Sequence, residues 1–389
     1  MKNFTLIVLT AIIFSTSGLK AKDEGNYRTV PFQITLLPPI GTNGIYAGRT
    51  VNRFSVNIIA GYAYGLKGLE FGGFANINRD FLTGVQFAGF INITGGQANA
   101  LQFSGFANIN GKDTKGMQFA GFTNINTGST DGAQFSGFAN INSREIQGLQ
   151  SAGFLNLSGG DSKAVQIAGF GNFAHNIRGV QVAGFSNISY GNVKGAQISG
   201  FLNVARTVSG LQLGVFNIAD TVKKGIPVGF LSIVRNGFRE FEAGVSEGLN
   251  TYASFKIGVT HFYNIFSVGM QTLGDHFRWG FGYGIGSQLA DHDGIQANLE
   301  LMSYHINEGG WFTDTYNDLQ QAKLTVAKSV GSNISVFAGP TLNLMISDNY
   351  RAGHPRAGSG FPPYTIFNDW SGRTNLKYWI GFVAGIRIH

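Results

Sequence analysis

The chain has 389 residues, including 57 glycines and 34 phenylalanines, while only 13% of the residues are charged and none is cysteine. Its formal net charge is +7, but the basic residues are scattered singly, so a nucleic-acid-binding surface is not indicated. The lack of cysteine argues against a disulfide framework, a cysteine-based metal site and a lipidated cysteine, and the apolar content argues against disorder.

Residues 1–21 have the pattern of a secretory signal peptide. Lys2 supplies a positive start, and the apolar stretch from Phe4 to Phe14 is too short to span a membrane as a helix. Small residues then lead to Asp23 and Glu24. We therefore expect an exported chain.

Residues 22–67 are predicted to form lead-in strands that cap the following repeats. One strand pattern begins at Val30, a turn is indicated from Pro38 to Gly44, and a second strand covers 54–64. The second strand contains a degenerate copy of the repeat phrase. Terminal units of repeat arrays usually deviate from the consensus because they cap the array.

Residues 68–234 hold eleven copies of one phrase, at a step of 16 residues and sometimes 15. The phrase is Gly-Φ-Gln-Φ-Ala/Ser-Gly-Phe-x-Asn-Φ, where Φ is apolar, and five or six polar residues follow it. Apolar residues alternate with glutamine and the linkers have turn chemistry, which predicts strands. At Pro227 the glutamine is replaced by a residue that cannot donate a ladder hydrogen bond, so the array is expected to stop there.

Two all-β architectures can accommodate this block. In a β-solenoid each unit is one coil, whereas in a single large antiparallel barrel each unit is one strand. A period of one unit favours the solenoid, because an up-and-down barrel repeats every two strands. In a solenoid like residues stack, so structural ladders are predicted at Gln86, Gln102, Gln118, Gln134, Gln150, Gln166, Asn92, Asn108, Asn124 and Asn140. Thr130 is interpreted as a turn residue.

Residues 235–389 lose the repeat and alternate strictly between apolar and polar side chains. Leu299 and Leu301, for example, alternate with Asn298 and Glu300. This pattern predicts eight strands of an antiparallel, outer-membrane-type barrel, with lipid outside and a polar lumen, although a soluble sandwich would also alternate. A long loop is expected at 347–376 as a contact surface. The charged residues predicted to face the lumen are Arg278, Glu300, Lys323 and Arg387.

Two clusters contain residue types that could carry chemistry. Ser303 and His305 faintly resemble the signature of outer-membrane lipid deacylases, but the order of the residues differs from that family's. The Asp291–Asp293 acidic pair could bind a cation, yet Asp-Gly after a strand is more typical of a hairpin turn. The sequence predicts no enzyme, no cofactor and no metal site.

The repeat phrase, the lead-in Pro-Pro-Ile-Gly-Thr-Asn-Gly at Pro38, and the later His-Phe-Tyr-Asn-Ile-Phe at His261 resemble a bacterial family of surface repeat-containing proteins. The resemblance covers most of the mature chain. It implies a surface or outer-membrane setting in Gram-negative cells, without a settled activity, and it carries over no catalytic residue.

The leading functional hypothesis is a non-enzymatic surface or outer-membrane protein with a structural, display or adhesion-type role. The alternatives are an outer-membrane pore or transporter, and a soluble secreted solenoid that binds polysaccharide. The expected partners are outer-membrane lipid and an extracellular glycan or a host or neighbouring surface, with no nucleic acid.

Overall fold

The computed structural model describes residues 27–272, 277–308, 311–313, 316–348, 362 and 364–389. The predicted signal peptide lies outside these residues, as does the 349–361 part of the predicted long loop. The fold is nearly all β, and within the described residues the only helix is the 3-10 turn Gly44–Arg49. The chain separates into two compact units, Met1–Gly214 and Val215–His389.

The first unit is a β-solenoid of stacked parallel coils. Its strands are β1 (Arg28–Leu37), β2 (Ile40–Gly41), β3 (Thr50–Asn57), β4 (Ala60–Gly72), β5 (Ala75–Ala88), β6 (Ile91–Thr94), β7 (Ala98–Ser104), β8 (Ala107–Asn110), β9 (Thr114–Ala120), β10 (Thr123–Asn126), β11 (Thr130–Ser136), β12 (Ala139–Asn142), β13 (Ile146–Ala152), β14 (Leu155–Ser158), β15 (Ser162–Ala168), β16 (Gly171–Ala174), β17 (Ile177–Ala183), β18 (Ser186–Ser189), β19 (Asn192–Ser199) and β20 (Leu202–Leu213).

A typical coil has a long strand of seven residues and a short strand of four, joined by a bend at Gly-Phe. Long strands pair with long strands of the neighbouring coils and short strands with short strands, always parallel and in register. Gln134 thus lies between Gln118 and Gln150. The solenoid prediction is confirmed, and parallel pairing excludes the single antiparallel barrel.

The interior of the solenoid is mainly polar, with a minor apolar column that includes Leu82, Ile146 and Ile177. The ladder glutamines and asparagines are buried, and each glutamine donates from Nε2 to Oε1 of the glutamine one coil earlier, at 2.6–3.0 Å from Gln102 to Gln166. Each asparagine donates in the opposite direction, from Nδ2 to Oδ1 of the next coil, and also to a backbone carbonyl, as Asn124 does to Asn140 at 2.9 Å and to Phe135 at 2.8 Å. The two sheets are joined across the interior, where Asn142 donates to Gln134.

The second unit begins with a short parallel pair, β21 (Phe216–Val222) with β23 (Leu231–Val234), and the intervening β22 (Ile226–Val228). A closed barrel of eight antiparallel strands follows. Its strands are β24 (Phe238–Ser246), β25 (Thr251–Val259), β26 (Phe262–Gln271), β27 (Arg278–His292), β28 (Ile295–Glu308), β29 (Asn317–Ser329), β30 (Ile334–Asp348) and β32 (Thr374–Ile388). β24 pairs with β32 to close the barrel, and the short β31 (Phe367–Ser371) pairs with the start of β32.

The segment around β22 and β23 covers part of the barrel's outer wall. Asn264, on the outer face of β26, donates to the carbonyl of Gly229 at 2.9 Å and accepts from the backbone N–H of Ser232. Phe230 stacks on the ring of Tyr283 at 4.9 Å. This contact explains why the outward-facing Asn264 is buried.

One expectation about the repeats was wrong. Thr130 is the first residue of β11 and is buried, with its hydroxyl donating to Asn142 Oδ1 at 2.7 Å and accepting from Asn126. It belongs to the interior network because β11 begins at Thr130, two residues before the Gly132 that opens the repeat phrase. It is therefore unsuitable as a neutral control for the ladder.

Replacing Gln134 with methionine should destabilise the array. Methionine has a similar volume, but it neither donates to Gln118 nor accepts from Gln150 and Asn142, so these buried amides lose partners. We expect the free energy of unfolding to fall by about 1–3 kcal/mol, measured by thermal or chemical denaturation followed by circular dichroism. The exposed Asp131→Asn is the control; equal midpoints for the two variants would contradict the ladder.

Candidate functional site

The structure puts the four charged residues of the predicted lumen inside the barrel. Arg278, Glu300, Lys323 and Arg387 are at most 3% exposed. The strand period explains this position, since their sequence neighbours Trp279, Leu299, Leu324 and Ile388 lie on the outward face. Three of the four, all except Arg278, meet in a single cluster.

The cluster also contains three residues that the sequence analysis missed: Glu240 and Glu242 on β24, and Lys256 on β25. All three are almost fully buried. The signal was present, because Glu240 and Glu242 alternate with Arg239, Phe241 and Ala243. The β24 strand is short, however, so its alternation is a weaker signal than that of the longer strands.

Two lysines bridge the carboxylates. Lys256 Nζ lies 2.8 Å from Glu240 and 2.6 Å from Glu300, and it also contacts Glu242. Lys323 Nζ lies 2.9 Å from Glu300 Oε2 and 3.3 Å from Glu242 Oε1. Each carboxylate of this group is therefore shared between cations contributed by different strands.

Arg387 completes the cluster from the last strand. Its Nε donates to Glu242 at 2.8 Å, Nη1 to Asn298 Oδ1 at 3.0 Å and Nη2 to Thr325 Oγ1 at 2.8 Å. The guanidinium group also lies over the ring of Phe337, 4.4 Å from its centre. Three carboxylates thus face three cations, so the formal charge of the buried group is balanced.

Two tyrosine hydroxyls add hydrogen bonds to the carboxylates. Tyr252 donates to Glu242 at 2.9 Å and Tyr263 donates to Glu300 at 3.0 Å. Buried ion pairs tolerate desolvation only when further hydrogen bonds satisfy the charged groups. The cluster meets this condition for Glu242, whereas both carboxylate oxygens of Glu240 have ion-pair contacts but no hydrogen-bond partner among the described residues. Its charged side chains come from five strands, so the cluster links these strands across the inside of the barrel.

Aliphatic and aromatic side chains, including Tyr263 of the cluster, fill the next layer of the barrel interior. They are Leu249, Tyr263, Ile265, Met302, Tyr304, Ile306, Leu319, Met345 and Trp379. Beyond them Arg278 pairs with Glu308 at 2.6 Å. An eight-stranded barrel is just wide enough for side chains to fill it, and these layers occupy the space that a channel would need.

The outer wall of the barrel is apolar and exposed. Strands β27 to β30 and β32 are 13 to 15 residues long, and their outward positions carry mainly aliphatic and aromatic side chains. The exposed members on the wall are Phe241, Val245, Val268, Met270, Phe281, Ile285, Leu289, Ile295, Leu299, Leu301, Leu324, Val326, Ile334, Val336, Leu342, Ile380, Phe382, Ile386 and Ile388.

The residues considered for hydrolysis do not form a catalytic arrangement. Ser303 and His305 both face outward, with Ser303 Oγ accepting from Gln320 at 2.8 Å and His305 Nδ1 lying 2.9 Å from Asp318. Asn307, by contrast, is buried and accepts from the backbone N–H of Thr313. The histidine and the serine therefore bond to separate partners on the neighbouring strand.

The acidic pair Asp291 and Asp293 belongs to a hairpin. Asp293 and Gly294 have φ values of 51° and 74°, as the two central residues of a tight β-hairpin turn require. Within the described ranges, no group of three or more potential ligands could hold a metal ion. No helix among the residues that the structure describes is long and apolar enough to cross a membrane.

No family model matches the chain, and no curated protein or solved structure matches it either. The family resemblance drawn from the repeat phrase therefore stays a prediction.

Replacing Lys323 with methionine should destabilise the barrel. The change leaves Glu242 and Glu300 with one cation fewer in a fully buried group. Breaking a buried pair on one side costs about 3–5 kcal/mol, which urea unfolding of the folded barrel would measure. Lys328→Met on the same strand is the control, because Lys328 is exposed; a loss as large at Lys328 would argue against the cluster.

Proposed function

We propose that the protein is a non-enzymatic outer-membrane protein of Gram-negative cells, in which the barrel is the lipid anchor and the solenoid is a structural array. The observation that carries this proposal is the inversion of the barrel: charged side chains are buried and apolar side chains are exposed. A water-soluble barrel would be expected to have the opposite arrangement, because large exposed apolar surfaces on soluble proteins promote association.

The dimensions of the barrel support the same proposal. Transmembrane strands need about 9–11 residues, and even the shortest barrel strands, β24 and β25, have nine. The pairing of β24 with β32 closes the barrel, so the paired segment has no free strand edge. A closed barrel is needed because backbone N–H and C=O groups in hydrocarbon must be hydrogen-bonded within the protein.

The filled interior favours an anchor over a pore. The ion cluster and the apolar layer above it occupy the barrel across its width. The exposed apolar wall likewise disfavours a soluble secreted glycan-binding protein. The anchor therefore stands as the proposed role of the barrel.

The two ends of the barrel differ. The strands that meet at the start of β24 and the end of β32 are joined there by short connections only, at 260–261, 293–294 and 330–333. At the other end one connection is short, 247–250, and the other three strand pairs are separated by longer stretches of sequence. In outer-membrane barrels short turns face the periplasm and long loops face outward. We propose that the long-loop end is the contact surface for a glycan or a host or neighbouring surface.

Leu299→Arg should impair assembly into membranes. Leu299 lies on the outer wall opposite Leu324 of the neighbouring strand, and an arginine facing lipid near the midplane costs about 2–4 kcal/mol. The measurement is the folded fraction in the membrane by heat-modifiable electrophoretic mobility. Val330→Arg, at an exposed turn residue, should assemble normally; equal assembly of both variants would refute the lipid-facing wall.

Asn298→Arg is not a suitable control for that test, although Asn298 is next to Leu299 in the sequence and lies on the polar face of the strand. Asn298 is 2% exposed, accepts from Arg387 and donates to Tyr263. An added cation there would enter a filled and charge-balanced interior.

Cell-surface labelling tests the orientation. The sequence has no cysteine, so Trp311→Cys at the long-loop end and Val330→Cys at the short-turn end each give one reactive thiol. On intact cells a membrane-impermeant maleimide should label position 311 but not 330, and permeabilised cells should show both. Labelling of 330 alone on intact cells would reverse the orientation.

A further inference from the structure

The solenoid is inverted in the same way as the barrel. Its interior holds the hydrogen-bonded amide ladders, whereas four columns of outward side chains, repeated in successive coils, are mainly apolar. In the coil of β11 and β12 these outward positions are Ala133, Phe135, Phe138 and Ile141, and Phe138 is 41% exposed. A water-soluble solenoid would bury such residues and expose the amides.

Two of the columns meet at the bend of each coil. One consists of Phe71, Phe87, Phe103, Phe119 and Phe135, and the other of Phe74, Phe90, Phe106, Phe122, Phe138, Phe154, Phe170, Phe185 and Phe201. Rings within the second column stack at 4.7–5.1 Å. The small residues between the columns form an open groove of about 500 Å³. We call this bend the aromatic apex.

Charged side chains are confined to the opposite edge of the coils. From Gly84 to Leu213 every charged residue lies in the segment that links the short strand to the start of the next long strand. They are Lys112, Asp113, Lys115, Asp131, Arg144, Glu145, Asp161, Lys163, Arg178, Lys194 and Arg206. Each coil is therefore apolar at the apex and polar at this charged edge, and all coils have the same orientation.

The backbone at the apex is also paired. At one bend the N–H groups of Gly137, Phe138 and Ala139 donate to carbonyls of the preceding coil at 2.9–3.2 Å. A backbone that enters hydrocarbon must satisfy its N–H groups internally. The stacked coils meet this requirement at the place where their side chains are most apolar.

We propose that the aromatic apex of the solenoid inserts into the hydrocarbon of a lipid bilayer, with the charged edge at the aqueous surface. The inference goes beyond the proposed barrel anchor, because it assigns a second membrane-contacting element to the chain. The proposed binding partner of the aromatic apex is the acyl chain of a lipid.

The ring geometry and the shape of the coil favour acyl chains over other partners. Stacking covers the faces of the phenylalanine rings and leaves their edges exposed, so the rings cannot offer the flat faces on which sugars stack. The apolar columns lie on both outer faces of the coil as well as at the bend. A second rigid copy would cover one face, whereas fluid hydrocarbon covers all of them.

Single-cysteine labelling of the full chain tests the proposal. Phe138→Cys places an environment-sensitive fluorophore at the apex, and Arg144→Cys places one at the charged edge of the same coil. In phosphatidylcholine and phosphatidylglycerol vesicles we expect the apex probe to shift to shorter wavelength. It should be quenched several-fold more by acyl-chain spin labels than the edge probe, and aqueous iodide should quench mainly the edge probe.

A third label, Leu299→Cys, reports on the barrel wall and separates the two proposals. Lipid quenching at 299 without quenching at 138 would overturn the apex insertion while retaining the barrel anchor. Protection of 138 from iodide without lipid quenching would also overturn it, and would indicate a second copy instead. Circular dichroism of each variant verifies folding, and Phe122→Cys repeats the apex measurement one coil away.

Discussion

The structure depends on the requirement that buried amides be hydrogen-bonded. A side-chain amide has two donors and an acceptor with two lone pairs, and a lone buried amide is costly to satisfy. Parallel stacking in register satisfies the amides, because each Gln or Asn hydrogen-bonds to the equivalent Gln or Asn of the neighbouring coil. Because such ladders hold most of the interior, few large apolar side chains are packed inside the coil, and most of them face outward.

The barrel reaches the same inversion by a different route. Its interior has no repeat, so its polar groups are satisfied by ion pairs between strands distant in sequence, such as Lys256 with Glu300 and Arg387 with Glu242. The ion cluster forms only when β24 and β32 come together, so it should link the stability of the barrel to its closure.

Sequence periodicity predicted the solenoid, the ladder positions and the inward parity of Glu300 and Lys323, because each depends on spacing alone. It did not predict the roles of Thr130 and Asn298, since these depend on which side chains meet across an interior. It also left open which residues neutralise Glu300. Lys256 lies 44 positions away, and alternation shows which face a residue occupies but not its partner. The outward position of the phenylalanines, in turn, becomes evident only once the amides are located inside.

The glutamine ladder is directional, and its two ends differ for that reason. Every glutamine donates toward the N-terminal side, so the first position must accept without donating along the same line. Glu70 stands there, and its carboxylate accepts from Gln86, Asn78 and Asn57 at 2.8–2.9 Å. A glutamine at that position would turn an N–H toward one of these donors. At the other end Gln212 Oε1 has no hydrogen-bond partner among the described residues, and in the sequence Pro227 occupies the next ladder position. The ladder thus begins with an acceptor-only residue and ends with an unused acceptor, which is the order that its donor direction requires.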